Sequence, residues 1–296
     1  MPSPPRTPGT TRSGGITLAD ARRAAAAQLA EAGYTSAPLE ADLVVGAVTG
    51  LDRARLIAWS EQPLSSAQQV QLEQLVSRRL QGEPVAHLLG LREFWSLELR
   101  VGPATLIPRP ETETLVEHAL AALPERSPLW IADLGTGSGA IAVALAHERR
   151  HWMLLGVELS DAALAIAADN KAHLGLSNLA LIRGDWSAAF APSGLDAILA
   201  NPPYVPQHDP HLSQGDLRFE PRSALAAGTD GLAAIRMILA DALRCLRPGG
   251  LLALEHGWDQ ANAVRALLSE HKLTEITTVR DLAGHERVTS GRAPGG

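Results

Sequence analysis

A single cysteine, Cys245, stands in 296 residues, so neither an internal disulfide nor a paired-cysteine zinc knuckle can form. It is expected to be buried at a helix end, and the scarcity of thiols points to a reducing cytoplasm. No stretch approaches the ~18 uncharged apolar residues of a membrane-spanning helix. The opening MPSPPRTPGTTRSGG lacks the apolar segment that a secretory leader needs. Its Pro, Gly, Ser and Thr bury too little apolar surface to offset the entropy of ordering, so residues 1–15 are expected to be a disordered tail. Lysine is nearly absent too: only Lys171 and Lys272 occur among 26 basic residues, against 32 acidic ones, for a net charge of −6. A chain of that balance presents no basic face for gripping duplex nucleic acid through many phosphates. No Ser-His-Asp or paired-carboxylate arrangement stands out. His208 and His211 have no further cluster to complete a site with, so no metal is expected.

What is present reads as a globular chain, 46% hydrophobic and 20% charged. Residues 16–90 read as a small helical bundle. Apolar positions recur at helical spacing from Leu18 to Gly33, over Ala37 to Val48, and from Ser65 to Leu80. This region is neutral, so the negative charge belongs to the remainder. A bundle of this kind suits positioning a partner better than chemistry. Phe94 to Arg100 alternates like a half-buried strand, within a strand and connector region over 91–110. Pro108 and Pro110, one residue apart, forbid helix or central strand and stiffen that connector. From Leu129 onward short apolar runs alternate with helical stretches, which predicts an α/β domain over 111–296 with a parallel sheet covered on both faces.

Three strand ends carry candidate ligand contacts. Asp133 to Gly139 (DLGTGSG) closes the first run and opens a helix. Gly135, Thr136, Gly137, Ser138 and Gly139 let backbone approach a ligand closely at a helix N-terminus. Glu158 ends the second run, 19 residues after Gly139, a spacing that suits a carboxylate accepting from both ribose hydroxyls. Asp185 and Trp186 end the third; the aspartate can accept from an adenine amino group while the indole covers the ring. Together these place an adenosine across the carboxyl edge of the sheet, without deciding between NAD and S-adenosylmethionine.

Asn201-Pro202-Pro203-Tyr204 closes the fourth run. The two prolines make the loop rigid and donate no N–H, so its carbonyls and the Asn201 oxygen form a set of fixed acceptors. Two acceptors facing one way suit an NH2 group, with Tyr204 lying against its plane through the ring and not the hydroxyl. A nicotinamide oxidoreductase would leave this element without a role.

At these residues the chain resembles the HemK/PrmC-type glutamine methyltransferases of peptide chain release factors. DNA adenine methyltransferases share Asn-Pro-Pro-Tyr, but would need a basic cleft and a target-recognition insert. The wider match includes QGEPVAH at Gln81 to His87, REFW at Arg92 to Trp95 and LIPRPETE at Leu106 to Glu113. It continues through EPRSAL at Glu220 to Leu225, DGL at Asp230 to Leu232 and DLAGHER at Asp281 to Arg287. The resemblance implies a Rossmann-like, seven-stranded S-adenosylmethionine-dependent methyltransferase domain ending in a strand hairpin, preceded by a helical substrate-recognition domain. It implies cofactor contacts at Gly135 to Gly139, Glu158, Trp186 and Asn201, and an amide-binding element at Asn201, Pro202, Pro203 and Tyr204. Glu158 stands where many relatives have aspartate, which alters reach and not role. The implied reaction methylates the glutamine of a Gly-Gly-Gln loop in class-one release factors and yields S-adenosylhomocysteine. A cytoplasmic monomer is expected, with neither membrane association nor direct nucleic-acid binding. A noncatalytic protein-binding module of the same fold would be separated from this by turnover. Glu111 and Glu113 are left between two roles, partners of a helix dipole or walls of a substrate pocket.

Overall fold

The computed structural model describes residues 15–295. The expected tail thus lies, but for Gly15, outside the described residues. The chain divides into two compact units, Met1–Leu89 and Gly90–Gly296.

The first unit is helical: α1 (Leu18–Glu31), α2 (Ala37–Thr49), α3 (Arg53–Ala58), α4 (Ser66–Leu80) and α5 (Val85–Leu89). Its ends are set by capping. Thr17 accepts from the Asp20 N–H at α1, and Ser65 and Gln68 form a reciprocal capping box at α4. Leu18, Leu29, Val44, Val45 and Leu56 are buried. Glu40 and Arg79 form a buried ion pair, Nε to Oε2 2.7 Å, with the Tyr34 ring 3.9 Å from the guanidinium. The sequence shows three of these five helices; α3 and α5 are each shorter than two turns and carry too little periodicity to read.

The second unit opens with a hairpin, β1 (Leu91–Phe94) and β2 (Leu97–Arg100). This corrects the single strand expected over Phe94 to Arg100. Trp95 and Ser96 both take positive φ, 55° and 56°, and turn the chain in two residues. Glutamates hold that unusual turn: the Trp95 N–H donates to Glu113 (2.7 Å) and its indole N–H to Glu148 (2.8 Å). Glu113 is thereby a brace of the turn.

There follow α6 (Glu113–Ala122), β3 (Trp130–Leu134), α7 (Ala140–Glu148), β4 (Met153–Glu158), α8 (Asp161–His173), β5 (Leu179–Arg183) and β6 (Leu195–Ala200). The chain ends with α9 (Ala233–Cys245), β7 (Leu246–Glu255), α10 (Ala261–Glu270), β8 (Thr274–Arg280) and β9 (Glu286–Arg292). The sheet order is β5-β4-β3-β6-β7-β9-β8, parallel from β5 to β7 and antiparallel through the last two. Seven strands and the terminal hairpin agree with expectation. Alternation along each central strand feeds two cores. Ala197, Leu199, Leu251 and Ala253 pack to one face with α6 and α7. Ile198, Ala200, Leu252 and Leu254 pack to the other with α9 and α10. Cys245 is buried at the end of α9. Among the described residues no helix is long and apolar enough to cross a membrane.

Candidate active site

The carboxyl ends of β3, β4 and β6 open on a cavity of about 500 Å³. Its lining includes Gly135, Thr136, Gly137, Ser138, Glu158, Asp185, Trp186, Asn201, Pro202 and Pro203, so most of the expected site residues meet in one space. Gly139 and Tyr204 are not in that lining. Gly139 starts α7 with φ +86°, and a Cβ there would lie 3.3 Å from Val143 and 3.4 Å from Ala167. Its lack of a side chain lets the start of α7 lie close against α8.

The glycine loop is held from both ends by carboxylates. Glu158 accepts from the Gly137 N–H (3.0 Å) and the Ser160 N–H (2.9 Å). Asp133, buried under the loop, accepts from the Thr136 hydroxyl (2.5 Å) and from the Ala142 N–H (3.2 Å) in the first turn of α7. Gly135 sits at φ +73°, and a Cβ there would be 3.2 Å from the Trp186 indole, so the ring covers the loop closely. The lining has two carboxylates, Glu158 and Asp185, and no Lys, Arg or His among the described residues. Such a wall fits a nucleoside carrying positive charge better than one carrying a diphosphate.

A second wall comes from the connector, which sequence left between dipole partner and pocket wall, and from a loop whose part sequence did not reveal. Leu106, Pro108 and Thr112 line the cavity from the connector, and Pro221, Ser223 and Ala224 from the opposite loop. Glu220 joins the two. Its buried carboxylate accepts from the Ile107 N–H (3.3 Å) and pairs with Arg109. Burial raises the Glu220 pKa against the pull of Arg109. The signal for this clamp is the pairing of LIPRPETE with EPRSAL, which no local pattern links.

At the Asn-Pro-Pro end, the Asn201 side-chain NH2 donates to the Thr112 hydroxyl at 3.0 Å. The amide oxygen is therefore the end left to accept. Tyr204 makes a contact that sequence did not show: its hydroxyl donates to Glu255 Oε1 at 3.4 Å. A phenol in a low-dielectric interior requires an acceptor, and sequence could not show that one lay at the end of β7. His256 is packed, with ring nitrogens 2.9 Å from the Gly257 carbonyl and 2.8 Å from Thr289. His211 lies 2.7 Å from Asp209, and no group of three His, Cys, Asp or Glu placed for a metal occurs among the described residues.

Burial pushes the Asp133 carboxyl up to about 6, although Thr136 and Ala142 hold it down. Burial pushes Glu255 up to about 7, against hydrogen bonding by Thr112 and the charge of Arg287. Folded values raised above unfolded ones mean stabilisation that is present below about pH 4 and lost as pH rises through about 6 and 7. Asp230, Asp241 and Asp281 are shifted down and matter only at more acid pH. His118 and His256, pushed down by burial, contribute in the opposite sense up to their unfolded value near 6.5, so ligand-free protein should show its net loss between about pH 7 and 8.5, as Glu255 completes its titration. Thermal unfolding across that range checks this, and a midpoint that rises toward pH 8.5 contradicts it.

With this geometry in view, the comparisons are specific. The family described as PrmC N-terminal domain matches residues 20–90, and the methyltransferase small domain matches residues 112–216. A release factor glutamine methyltransferase of Salmonella typhimurium is 50% identical over 253 residues, covering 86% of this chain and 91% of the relative. Another from Xylella fastidiosa is 51% identical over 244 residues, 82% of this chain and 89% of its own. One from Escherichia coli is 47% identical, covering 86% and 91%. Among solved structures, a Pyrococcus furiosus methyltransferase superposes with TM-score 0.51 at 17% identity, over 74% of this chain and all but 3% of its own, which is 97% covered. A T. thermophilus 16S rRNA methyltransferase with AdoMet and guanosine superposes at TM-score 0.51 and 20% identity, over 68% of this chain and 49% of its own. These distant likenesses bear on the fold alone; the identity to the curated relatives bears on kinship, and by it the chain belongs to the release factor glutamine methyltransferase family.

Proposed function

We propose that this chain transfers a methyl group from S-adenosylmethionine to the side-chain amide nitrogen of the glutamine in the Gly-Gly-Gln loop of class-one release factors, modulating translation termination. The observation that carries the reading is a cavity whose one wall is the glycine loop with Glu158, Asp185 and Trp186, and whose other end is Asn201 to Pro203. The helical region 16–90 is the recognition domain in this reading, and 111–296 the catalytic one.

When bound, S-adenosylmethionine supplies an electrophilic methyl on a sulfonium and leaves as S-adenosylhomocysteine. Glu158 would accept from the ribose hydroxyls, Asp185 from the adenine amino group, and Trp186 would cover the ring. The substrate nitrogen is a poor nucleophile because its lone pair is delocalised into the carbonyl. Asn201 Oδ1 and the Pro202 carbonyl accept its two N–H bonds, hold its face toward the methyl and stabilise the charge that develops on nitrogen. Pro203 stiffens that loop, and Tyr204 anchors it. The N–H proton departs after transfer, when the methylated nitrogen is far more acidic, so no strong base is required.

Incubation with tritiated S-adenosylmethionine and purified release factor, followed by peptide mapping, tests the reaction. Label should appear on the Gly-Gly-Gln peptide and vanish when that glutamine is alanine; label that persists overturns the assignment. For the cofactor, Glu158→Ala should weaken S-adenosylhomocysteine binding by roughly 1–3 kcal/mol in calorimetry. The loss has two sources, the ribose acceptor and the Gly137 and Ser160 N–H groups that Glu158 now orients. NAD should show no binding, and tight NAD binding would reverse the choice of cofactor.

A further inference from the structure

The Asn-Pro-Pro-Tyr loop belongs to a closed ring of three segments. On one side, Thr112 Oγ1 accepts from the Asn201 NH2 at 3.0 Å, and the Thr112 N–H in turn donates to the Arg109 carbonyl at 3.1 Å. On the other side, the residue after Tyr204 is laced to residues 225–227. The Val205 N–H donates to the Leu225 carbonyl and the Ala227 N–H to the Val205 carbonyl, each at 2.9 Å. Those residues leave a compact turn in which Ala224 donates to Pro221 (2.9 Å) and Ala226 to Arg222 (2.8 Å). Glu220, at the head of that turn, closes the ring. Its carboxylate accepts from the Arg109 guanidinium through one oxygen and from the Ile107 N–H, at 3.3 Å, through the other. Leu106, Pro108, Pro221, Ser223 and Ala224 face the cavity from this ring, while Glu220 and Arg109 stay out of its lining. Resting on the reaction proposed above, we infer that Glu220 and Arg109 are positioning residues for methyl transfer: their pairing clasps the connector to the 221–227 turn and so fixes where the Asn201 acceptor stands against the substrate amide.

The connector needs such a clasp because of its own sequence. Pro108 and Pro110 bar it from helix and central sheet, and residues 106–109 lie in neither. Ile107 is 3% exposed, so its N–H is cut off from water and requires an acceptor. Glu220 supplies it. A neutral acceptor would satisfy that N–H equally, and apolar side chains often replace a buried ion pair at no loss of stability. A carboxylate with no exposed side-chain surface is instead costly to bury. What the ion pair adds is direction. Arg109 reaches one oxygen and Ile107 the other, so the carboxylate has one orientation and the connector is held on both sides of Pro108. A shift there passes through the Arg109 carbonyl and Thr112 to the Asn201 amide, where misplacement of about 1 Å costs on the order of a hundredfold in rate. The opposite wall has its own supports, since Glu158 and Asp133 hold the glycine loop. Loss of the clasp should therefore slow the chemistry and spare cofactor binding.

The test measures kcat with release factor and S-adenosylmethionine both saturating, together with S-adenosylhomocysteine affinity, and a thermal unfolding curve shows that each variant is folded at the assay temperature. Glu220→Gln keeps an acceptor for Ile107 and removes the charge; Arg109→Met keeps the stem and removes the donor. Each should lower kcat roughly tenfold to a hundredfold while S-adenosylhomocysteine affinity stays within about threefold of the parent. Arg109→Lys, which still places a cation on the one oxygen that Arg109 reaches, should recover most of the loss. The Glu220→Gln, Arg109→Met double variant should be no worse than the poorer single one, because both open one clasp. Parental kcat in both single variants, additive losses in the double variant, or no recovery by lysine each overturns the proposal. So does a fall in kcat matched by an equal fall in S-adenosylhomocysteine affinity, the mark of a pair that holds the whole cavity and not the acceptor. If Arg109→Met, which strands a buried carboxylate, does not fold, Glu220→Gln decides alone by its kcat and affinity. Asn201→Ala separates the two readings: a large kcat loss there with none in the clasp variants leaves the reaction standing and removes only the positioning role.

Discussion

Asn201→Ala is expected to lower turnover by about 10²–10³-fold with release factor saturating, by analogy with losing one preorganised electrostatic partner in a dry site. The geometry makes the loss specific. Asn201 follows β6 directly, and its NH2 is tied to Thr112 at 3.0 Å. Its oxygen is thereby oriented before substrate arrives, so little reorganisation is needed during transfer. Truncation removes one of two acceptors and leaves the Pro202 carbonyl to hold the amide alone, free to pivot about a single bond. Because Asn201 lines the same cavity as Glu158 and Trp186, a modest fall in S-adenosylmethionine affinity is expected alongside. The decisive number is kcat from single-turnover kinetics; a value near that of the parent would sink the acceptor mechanism.

The second large effect is expected at a residue with no polar atom in its side chain. Gly231 sits at φ +74°, and a Cβ there would be 2.2 Å from the Tyr204 carbonyl oxygen and 2.6 Å from Gln260 Nε2. The first of these is backbone and cannot swing aside. Gln260 donates to that same Tyr204 carbonyl at 3.0 Å and accepts from the Gly257 N–H at 2.8 Å. Val205 is pinned one residue on, donating to Leu225 and accepting from Ala227, each at 2.9 Å. Gly231→Ala must therefore either push the Asn-Pro-Pro-Tyr loop out or break its tie to α10. Left-handed backbone for alanine plus overpacking costs roughly 2–5 kcal/mol. Unfolding in denaturant should register that loss, and turnover should fall further than stability alone predicts because the displaced loop carries the acceptors. A stable Gly231→Ala protein with parental kcat would mean the loop tolerates movement.

The sheet was legible in the sequence because parallel strands buried on both faces leave continuous apolar runs, and WIADL, MLLGVE and LDAILA are such runs. The cavity wall built on the glycine loop was legible for a related reason. Glycines, a carboxylate and an indole each fall at a strand's carboxyl end, where the fold brings them together. The β1–β2 turn was not, since it has neither Gly nor Asn and Trp95 is held by Glu113 and Glu148, 18 and 53 residues downstream. Glu255 was invisible in the same way. A glutamate ending a strand looks like any other until Tyr204, from a separate segment, is found against it. The partner of the Tyr204 hydroxyl was not legible either, because a ring beside prolines suggests stacking while the acceptor, Glu255, lies on a separate strand.

The strand order has a consequence for biogenesis. β3 lies between β4 and β6, and the partner on its β6 side is far along the chain: the Trp130 N–H bonds to Asp196, 66 residues later. At ribosomal rates of about 5–20 residues per second, that edge of β3 waits roughly 3–13 s for its neighbour. While it waits, Ile131, Ala132 and Leu134 border an unpaired row of N–H and C=O groups, a template for pairing with another chain. Of the second unit, only β1, β2, α6, α7, β4, α8 and β5 are available by then to shield it. The nascent chain is thus most vulnerable to aggregation, and most in need of a holdase, after β5 emerges and before β6 does.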